Sequence, residues 1–237
     1  NGCECEPYLT CDHRVMVEQA DDLVTGIDYA LRATGAVQAV IGIEDDKAEA
    51  AAAIRQALAR RRVAPDIMVV AEVPTKYPQG SEKMLIMALF GVEVPAGGLP
   101  MAFGMVVLNV ATVAALGRLL PSGQGLIERV VTVAGAAVAR PGNYRVPLGT
   151  PMGFLLDYAG APAEAREVIL GGPMMGQAVA FRDIPVTKGV SGLLVLPGDA
   201  FRDRDRRRVY PCIKCGACVE ACPMGLNPSQ LGLLAGV

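Results

Sequence analysis

Histidine and the aromatic residues are scarce in this sequence of 237 residues, which has one His, no Trp, five Phe and six Tyr. The single imidazole leaves only His13 for a histidine base or a histidine metal ligand. The net charge is −2, and few aromatic rings are available for base stacking. Since nucleic-acid-binding proteins present basic surfaces and stacking side chains, we expect no nucleic-acid partner.

A starting methionine and a basic, apolar leader are also missing. We interpret the chain as part of a longer polypeptide without a visible signal peptide. Residues 97–117 lack charge over a length that could span a bilayer. However, Pro100, Asn109 and Thr112 interrupt this stretch, and polar groups inside a bilayer are costly. We predict instead a buried strand at residues 105–109 followed by a buried helix.

A disulfide framework is not indicated, because the number of cysteines is odd and their spacing is clustered. Such spacing favours a reducing compartment and a metal cluster. The two groups are Cys3, Cys5 and Cys11, and then Cys212, Cys215, Cys218 and Cys222.

The second group has the spacing C-x2-C-x2-C-x3-C-P of bacterial ferredoxins, which bind cubane 4Fe-4S clusters. Each iron takes one thiolate, and Gly216 lets the main chain pass close to the cluster. We predict that Cys212, Cys215, Cys218 and Cys222 are cluster ligands. Zinc is the alternative metal, although zinc knuckles usually pair C-x2-C with a second, distant pair.

The last cysteine carries further information. In two-cluster ferredoxins it ligates the other cluster. We therefore predict that Cys222 serves a second cluster, whose remaining ligands come from a cysteine run outside this sequence.

The first half of the sequence predicts an α/β fold. Residues 13–35 favour a helix that ends at Gly35. An apolar run at 37–43, an alanine-rich stretch at 47–62 and a second apolar run at 66–71 form a strand–helix–strand pattern. This pattern is typical of a βαβ unit in a parallel sheet.

Residues 128–198 have a different sequence pattern from the first half, and this pattern predicts a small β-rich module. Strands are expected at 129–134, 168–173 and 190–197, with a helix at 152–159. The alternating charges at 199–208 indicate an exposed linker. A helix is expected again at 229–234.

Two polar segments lie in the predicted α/β region: NGCECEPY at residues 1–8 and KYPQGSEK at 76–83. The first could be an ordinary acidic turn. In open α/β sheets, however, ligands gather at the carboxyl ends of strands and anions at helix N-termini. The two segments together predict a nucleotide or flavin site.

Several motifs occur in an order that identifies a family. The sequence contains NGCECEPYLT, YPQGSEK, ARPGNY, LGGPMMG and the cysteine run. Together they closely resemble the C-subunit of the Rnf (Rsx) ion-translocating electron-transport complexes, over essentially the whole chain.

The resemblance implies three domains. Residues 1–127 would form an FMN- and NAD(H)-binding α/β domain, with a parallel sheet, related to the flavin-bearing subunit of respiratory complex I. Residues 128–198 would form a β-grasp module of the soluble-ligand-binding type. Residues 199–237 would be a linker and the first part of a helical, two-cluster ferredoxin domain.

The resemblance also implies site residues. Flavin contacts fall on Asn1, Cys3, Glu4 and Asn109, and the dinucleotide would approach at Gly80, Ser81 and Glu82. Cys3 and Ser81 depart from the pattern, since the flavin subunit has acidic residues there. The family's Gly-rich loop for the flavin phosphate has no counterpart in these residues. For Cys3, Cys5 and Cys11 as a group, ordinary buried thiols are favoured over a third metal site.

The implied protein is an NADH-linked oxidoreductase and translocase subunit. It would pass electrons between NAD(H), through FMN, and two 4Fe-4S clusters. Its partners would be the other subunits of a membrane complex and a ferredoxin or ferredoxin-like subunit. It would lie peripherally on the cytoplasmic side of the bacterial inner membrane.

Two other functions remain open from the sequence. One is a soluble flavin and iron–sulfur reductase of the cobalamin-reductase type. The other is a binding module whose β-grasp domain recognises a ligand or partner while the cluster is structural.

Overall fold

The computed structural model describes residues 1–162, 167–197, 211–222 and 224–234. The chain divides into two compact units, Asn1–Pro197 and Gly198–Val237. The charged segment predicted as a linker at 199–208, and Pro223 at the end of the cysteine motif, lie outside the described residues.

The first unit begins with the predicted βαβ arrangement. Strands β1 and β2 pair in parallel, with Ala39 opposite Met68 and Glu44 opposite Val73. This confirms the predicted βαβ unit, because the helix between the strands serves as the crossover. The elements in order are α1 Cys11–Glu18, α2 Ala20–Thr34, β1 Ala39–Glu44, α3 Ala48–Arg60 and β2 Met68–Val73.

The helix predicted at residues 13–35 is two helices, which meet at Gln19. No Gly or Pro marks the break. The cause is tertiary, because α1 packs mainly on α3 while α2 packs mainly on α5. The predicted end at Gly35 is confirmed by a left-handed φ of 72°, which glycine adopts without steric cost.

The remainder of the α/β region contains α4 Glu82–Phe90 and α5 Val110–Leu119, with short 3₁₀ helices at Pro100–Phe103 and Leu120–Ser122. The predicted buried helix corresponds to α5, whose Val113 and Ala114 are buried. Among the described residues, no helix combines the length and apolarity that a membrane crossing requires.

The strand predicted at residues 105–109 is wrong. These residues form no strand, and none of them is buried. The Asn1 amino group donates to the Leu108 carbonyl over 2.8 Å, and the Val110 N–H donates to the Asn1 carbonyl over 3.0 Å. One residue is too short a partner for a β ladder, so the segment is extended but not part of a sheet.

Helices α2 and α5 touch through glycine. A Cβ placed on Gly26 would overlap the Val113 main chain, and a Cβ on Gly117 would overlap the Asp22 main chain. The close approach holds α5, which follows Asn109, against α2. Side chains from both helices join those of β1 and α3 in one apolar core.

The β-rich module is a five-stranded sheet in the order β4-β3-β7-β5-β6, in which β3 and β7 are parallel and the other pairs antiparallel. Helix α6 packs on this sheet through buried Leu155 and Leu156. The predicted helix and three strands are confirmed. The elements are β3 Glu128–Ala134, β4 Gly142–Pro147, α6 Met152–Ala159, β5 Glu167–Leu170, β6 Gln177–Val179 and β7 Gly192–Leu196.

This module contacts the amino-terminal loop directly. The Thr10 N–H donates to the Thr132 hydroxyl over 3.1 Å, and the Asn143 amide donates to the Thr10 hydroxyl over 2.9 Å. The Glu6 carboxylate accepts the Met174 N–H over 3.1 Å. The loop at residues 6–10 is therefore held by the second sheet as well as by its own helices.

The second unit has short helices α7 Ala217–Glu220 and α8 Pro228–Leu234. The predicted helix at 229–234 is confirmed by α8. The four cysteines of the motif lie before, within and just after α7.

Candidate functional site

The polar loop at residues 1–9 runs beside the carboxyl end of β1. The Gly2 N–H donates to the Gly42 carbonyl over 2.8 Å, and the Glu4 N–H donates to the Glu44 carboxylate over 3.1 Å. Because β1 and β2 are parallel, both of their carboxyl ends lie at this edge. This is the edge where ligands bind in open α/β sheets.

Asn1 joins this loop to the second polar segment. Its side-chain amide donates to the Gly80 carbonyl over 2.9 Å, and its side-chain oxygen accepts the Cys3 N–H over 3.2 Å. A Cβ on Gly80 would lie 2.5 Å from the Cys3 carbonyl oxygen, so only glycine fits without displacing the loop. Three of the predicted site residues, Asn1, Cys3 and Gly80, are thus in contact.

Asn109 adjoins Asn1 through the main chain of Val110. Its side-chain oxygen accepts the Ala111 N–H over 2.8 Å and caps α5. Its amide donates to the Asp12 carboxylate over 2.6 Å. The side chain therefore links the start of α5 to α1.

The Glu4 carboxylate is engaged by α1. It accepts the N–H groups of Asp12 over 3.0 Å and His13 over 3.1 Å, and the Cys11 thiol donates to it over 3.2 Å. Burial, and then the Asp12 charge, raise the pKa of Glu4 to about 7. The side chain predicted to contact flavin therefore caps a helix.

Ser81 and Glu82 stand at the start of α4, exposed to solvent. Within the part of the chain that the structure describes, no side chain caps this helix, whereas Glu4 caps α1 and Asn109 caps α5. The first N–H groups of a helix seek an acceptor and favour negative charge. The α4 N-terminus can therefore receive an anionic or carbonyl-bearing ligand.

Sequence reasoning missed two residues in these segments. Gln79 is 1% exposed, and its amide nitrogen has no hydrogen-bond partner within the described residues. One Glu6 oxygen is likewise buried without a partner there. Buried polar atoms are normally satisfied, so these two mark hydrogen-bonding capacity that a ligand or water can use. Both lie inside the polar runs, which was the available signal.

The amino-terminal cysteines are held as thiols. Burial, and then the Glu44 charge, raise the pKa of Cys3 to about 12. Burial and the charges of Asp12 and Glu4 raise the pKa of Cys11 as well. Ligand-type atoms of Glu4, Cys11 and Asp12 lie within 4.8 Å of one another. Their contacts with α1 and Asn109 already use these groups, and we assign no metal to them.

The cysteines of the motif have the opposite surroundings. Cys212, Cys215 and Cys218 are exposed. The Ser229 hydroxyl lies 3.1 Å from the Cys212 sulfur, and the Lys214 N–H donates to that sulfur over 3.4 Å. These two contacts lower the pKa of Cys212, which favours the thiolate that metals bind.

The main chain curls around Cys212 and Cys215 at left-handed residues, with φ of 57° at Lys214 and 80° at Gly216. A zinc ion with sulfur ligands at about 2.3 Å would require the sulfurs to lie roughly 4 Å apart. Within the described residues, the motif cysteines form no group of three with ligand atoms inside 4.8 Å.

Two known families match separate segments of the first unit. Residues 1–118 match the Nuo51 FMN-binding domain, and residues 130–178 match the SLBB domain.

Curated relatives match nearly the whole chain. The C-subunit of the proton-translocating ferredoxin:NAD(+) oxidoreductase complex of Clostridium ljungdahlii is 44% identical over 99% of this chain and 50% of its own length. The C-subunit of an ion-translocating oxidoreductase complex is 40% identical in Rhodobacter capsulatus, over 98% of this chain and 44% of that protein. The Yersinia pestis counterpart is 42% identical, over 98% and 36%. The chain thus spans half or less of the length of these relatives.

A solved structure has a similar fold. The NAD+-reducing NiFe hydrogenase in its H2-reduced state superposes with a TM-score of 0.70, covering 82% of this chain and 39% of the matched chain at 23% identity. At that identity the likeness concerns the fold alone.

Proposed function

This chain belongs to the C-subunit family of ion-translocating oxidoreductase complexes, and on that premise we propose that it carries electrons between NAD(H) and 4Fe-4S clusters through bound FMN. The observation that supports the proposal best is the hydrogen bond from the Asn1 amide to the Gly80 carbonyl. It joins the two polar segments at the carboxyl edge of the parallel strands, where a dinucleotide and a flavin can meet.

The dinucleotide would bind at Gly80, Ser81 and Glu82. The uncapped α4 N-terminus supports this assignment, because its N–H groups suit the pyrophosphate of a nicotinamide dinucleotide. The Gln79 amide, which has no partner among the described residues, lies next to Gly80 and adds a buried donor. These residues bind and orient the substrate, and no histidine base is required.

FMN would lie against Asn1, Cys3, Asn109 and the main chain of Glu4. When bound, it supplies the step that converts a two-electron hydride donor into single electrons. The Cys3 thiol, with its raised pKa, presents an uncharged surface there. The Glu4 carboxylate acts indirectly, since it fixes α1 and, through Asp12, the Asn109 amide.

Single electrons would leave through the ferredoxin-like unit. Cys212, Cys215 and Cys218 would hold one 4Fe-4S cluster, and Cys222 would contribute to a second cluster in the intact protein. The exposed sulfurs and the N–H contact to Cys212 support this assignment. We accordingly divide the chain into a flavin domain at 1–127, a β-grasp module at 128–198 and a ferredoxin segment at 199–237.

The proposed partners are the other subunits of a membrane complex and a ferredoxin or ferredoxin-like subunit. The relatives are subunits of multi-subunit ion-translocating complexes, which supports such an assembly. The protein would attach peripherally on the cytoplasmic side of the inner membrane through those partners.

The test uses the intact protein reconstituted with FMN, iron and sulfide under anaerobic conditions. NADH should bleach the flavin absorbance. Gly80→Ala should raise the KM for NADH at least about tenfold, because the added Cβ displaces the loop at Cys3. Gly125→Ala is the matched control, since a Cβ there meets nothing within 4 Å. Failure of NADH to reduce the flavin of the intact protein would refute the proposal.

Two alternative functions can be separated from it. A soluble reductase of the cobalamin-reductase type would purify without membrane subunits. A binding module with a structural cluster would hold a cluster that dithionite does not reduce. The SLBB match at residues 130–178 is the observation that keeps the second alternative open.

A further inference from the structure

A cationic cavity lies between the flavin-type domain and the β-grasp module, apart from the Asn1–Gly80 contact. Helices α1 and α5 form one wall, and β3, β4 and the loop at residue 188 form the other. Both walls belong to the same compact unit. Its charged lining residues are Arg118, Arg129, Arg145, Lys188 and Glu128.

The charges of this lining do not balance. Glu128 lies 3.0 Å from Arg118 and 3.7 Å from Arg145, so one carboxylate serves two guanidinium groups. The strand register explains the sharing, because Val130 pairs with Arg145 and Glu128 lies two residues from Val130 on the same face. Within the described residues, Arg129 and Lys188 have no carboxylate in salt-bridge range.

Arg118 donates one N–H to Glu128 over 3.0 Å, and yet it and Arg129 each keep a further donor without an acceptor among the described residues. The Nε atoms of Arg118 and Arg129 are buried and have no partner in the part of the chain that the structure describes. A buried donor without an acceptor is destabilising, and more so when it is charged. An oxyanion is the acceptor that a guanidinium fork matches best.

One carboxyl group lies nearby without neutralising the cavity. Asp12 is buried and accepts the Asn109 amide over 2.6 Å. Its charge and that of Cys11 act on Arg129 only at a distance, while burial lowers the pKa of the Arg129 guanidinium. Both the Asp12 carboxyl and the Cys11 thiol have raised pKa values, which reduces the negative charge that they supply.

The size and the neutral lining specify the ligand further. The cavity is about 70 Å³, which is room for roughly five water-sized groups. A phosphate group has five heavy atoms. The side chains of Gln19 and Thr112 line the same cavity and make no hydrogen bond within the described residues, so they add neutral donors.

We propose that this cavity is a binding site for a phosphate group, held by Arg118, Arg129 and Lys188. The group could belong to free inorganic phosphate or to the terminal phosphate of a flavin nucleotide. The inference does not depend on NADH oxidation, because it rests on the charges and unpaired donors of the interface.

The experiment is calorimetric titration of the full chain with inorganic phosphate against chloride at matched ionic strength. Saturable binding is expected, and Arg129→Gln should weaken it at least about tenfold, since a charge-assisted fork is lost. Arg32→Gln is the control, because Arg32 pairs with Asp28 on the surface of α2. Circular dichroism checks folding, and Lys188→Gln, on the exposed rim, replaces Arg129→Gln if that variant unfolds.

Competition between FMN and inorganic phosphate then identifies which molecule supplies the phosphate group. If the phosphate is that of FMN, FMN displaces inorganic phosphate and riboflavin does not. If it is free phosphate, FMN and inorganic phosphate bind together. Either result supports the site, provided that Arg129→Gln weakens the phosphate binding. Absence of saturable phosphate binding, or equal binding by wild type and both cavity variants, would overturn it.

Discussion

The two groups of cysteines show how surroundings decide what a thiol can do. Cys3 and Cys11 are buried, beside carboxyl groups, and their pKa values are raised. Cys212 is exposed, beside a hydroxyl and a main-chain N–H, and its pKa is lowered. The same side chain is therefore core packing and a hydrogen-bond donor at one end, and a metal ligand candidate at the other.

The largest expected difference between the two groups of cysteines is their effect on the metal content of the protein. In the intact protein reconstituted with iron and sulfide, Cys215→Ser should lower the iron content by at least one iron of the cube, because each thiolate holds one iron. Cys5→Ser, in the other group, should keep the wild-type iron content. Iron and labile-sulfide analysis measures both. Unchanged iron in Cys215→Ser, or equal loss in Cys5→Ser, would remove the distinction.

Alkylation of the metal-free protein at neutral pH should give the next largest difference. Cys212 should react about a hundredfold faster than Cys3 or more, because the thiolate is the nucleophile and Cys3 is both buried and protonated. Peptide mass mapping over time gives the rates. In denaturant the two should become comparable, and equal rates in the folded protein would contradict the assignment.

The free energy of unfolding should depend on pH because of Glu4, which lies beside the buried cysteines. The folded pKa of Glu4, about 7, exceeds that of the unfolded chain, so the folded state holds a proton that the unfolded state has released. This contribution is complete below the unfolded pKa and is lost as pH rises towards 7. The expected loss is of order 1–3 kcal/mol between about pH 4.5 and 7.

Glu4→Gln provides the matched measurement, since the amide oxygen can still accept an N–H from α1. Denaturant unfolding at several pH values should show a shallower decline for this variant. The decline that remains belongs to Asp12 and Glu44, whose pKa values are also raised by burial. A slope identical to that of wild type would show that Glu4 does not titrate in this range.

The smallest expected effect concerns packing. Cys11→Ala should lower the free energy of unfolding by about 1–2 kcal/mol, because the residue is 1% exposed and its thiol donates to Glu4. Cys218→Ala in the metal-free protein should stay within about 0.5 kcal/mol, as exposed substitutions do. Equal costs at the two positions would mean that burial does not distinguish the groups.

The elements of the fold that depend on local sequence were predictable. The apolar runs at 37–43 and 66–71, with an alanine-rich stretch between them, led to the parallel pair β1 and β2. The short helix predicted at 152–159 was found as α6. The prediction of the four cluster ligands rests on the cysteine spacing alone, because that chemistry is local in the chain, and it stays a prediction.

Features that depend on distant contacts were not predictable. The break at Gln19 arises because α1 and α2 pack on different elements, and no residue type signals it. The extended segment at 105–109 looked like a strand because it is a short apolar run, yet its pairing is limited to Asn1. The Glu4 carboxylate could contact either a flavin or the N–H groups of α1, and the sequence does not indicate which of the two it contacts.

The cationic cavity could not be predicted for the same reason. Arg118, Arg129, Arg145 and Lys188 are spread over some seventy positions and meet only when α5 packs beside β3 and β4. In the sequence these four charges are far apart, and the only one with a charged neighbour is Arg129, which follows Glu128.

The hydrogen bonds between the β-grasp module and the loop at residues 6–10 affect which residues can be exchanged together by recombination. Glu6 receives the Met174 N–H, and Thr10 bonds to Thr132 and Asn143. A recombination event that exchanged only the module would replace the Thr132 and Asn143 side chains that bond to Thr10, whereas any residue but proline at 174 would supply the N–H that Glu6 accepts. A chimera that keeps the Thr10 bonds must therefore carry residue 10 together with the second sheet, and this exchange unit crosses the boundary between the two matched family segments.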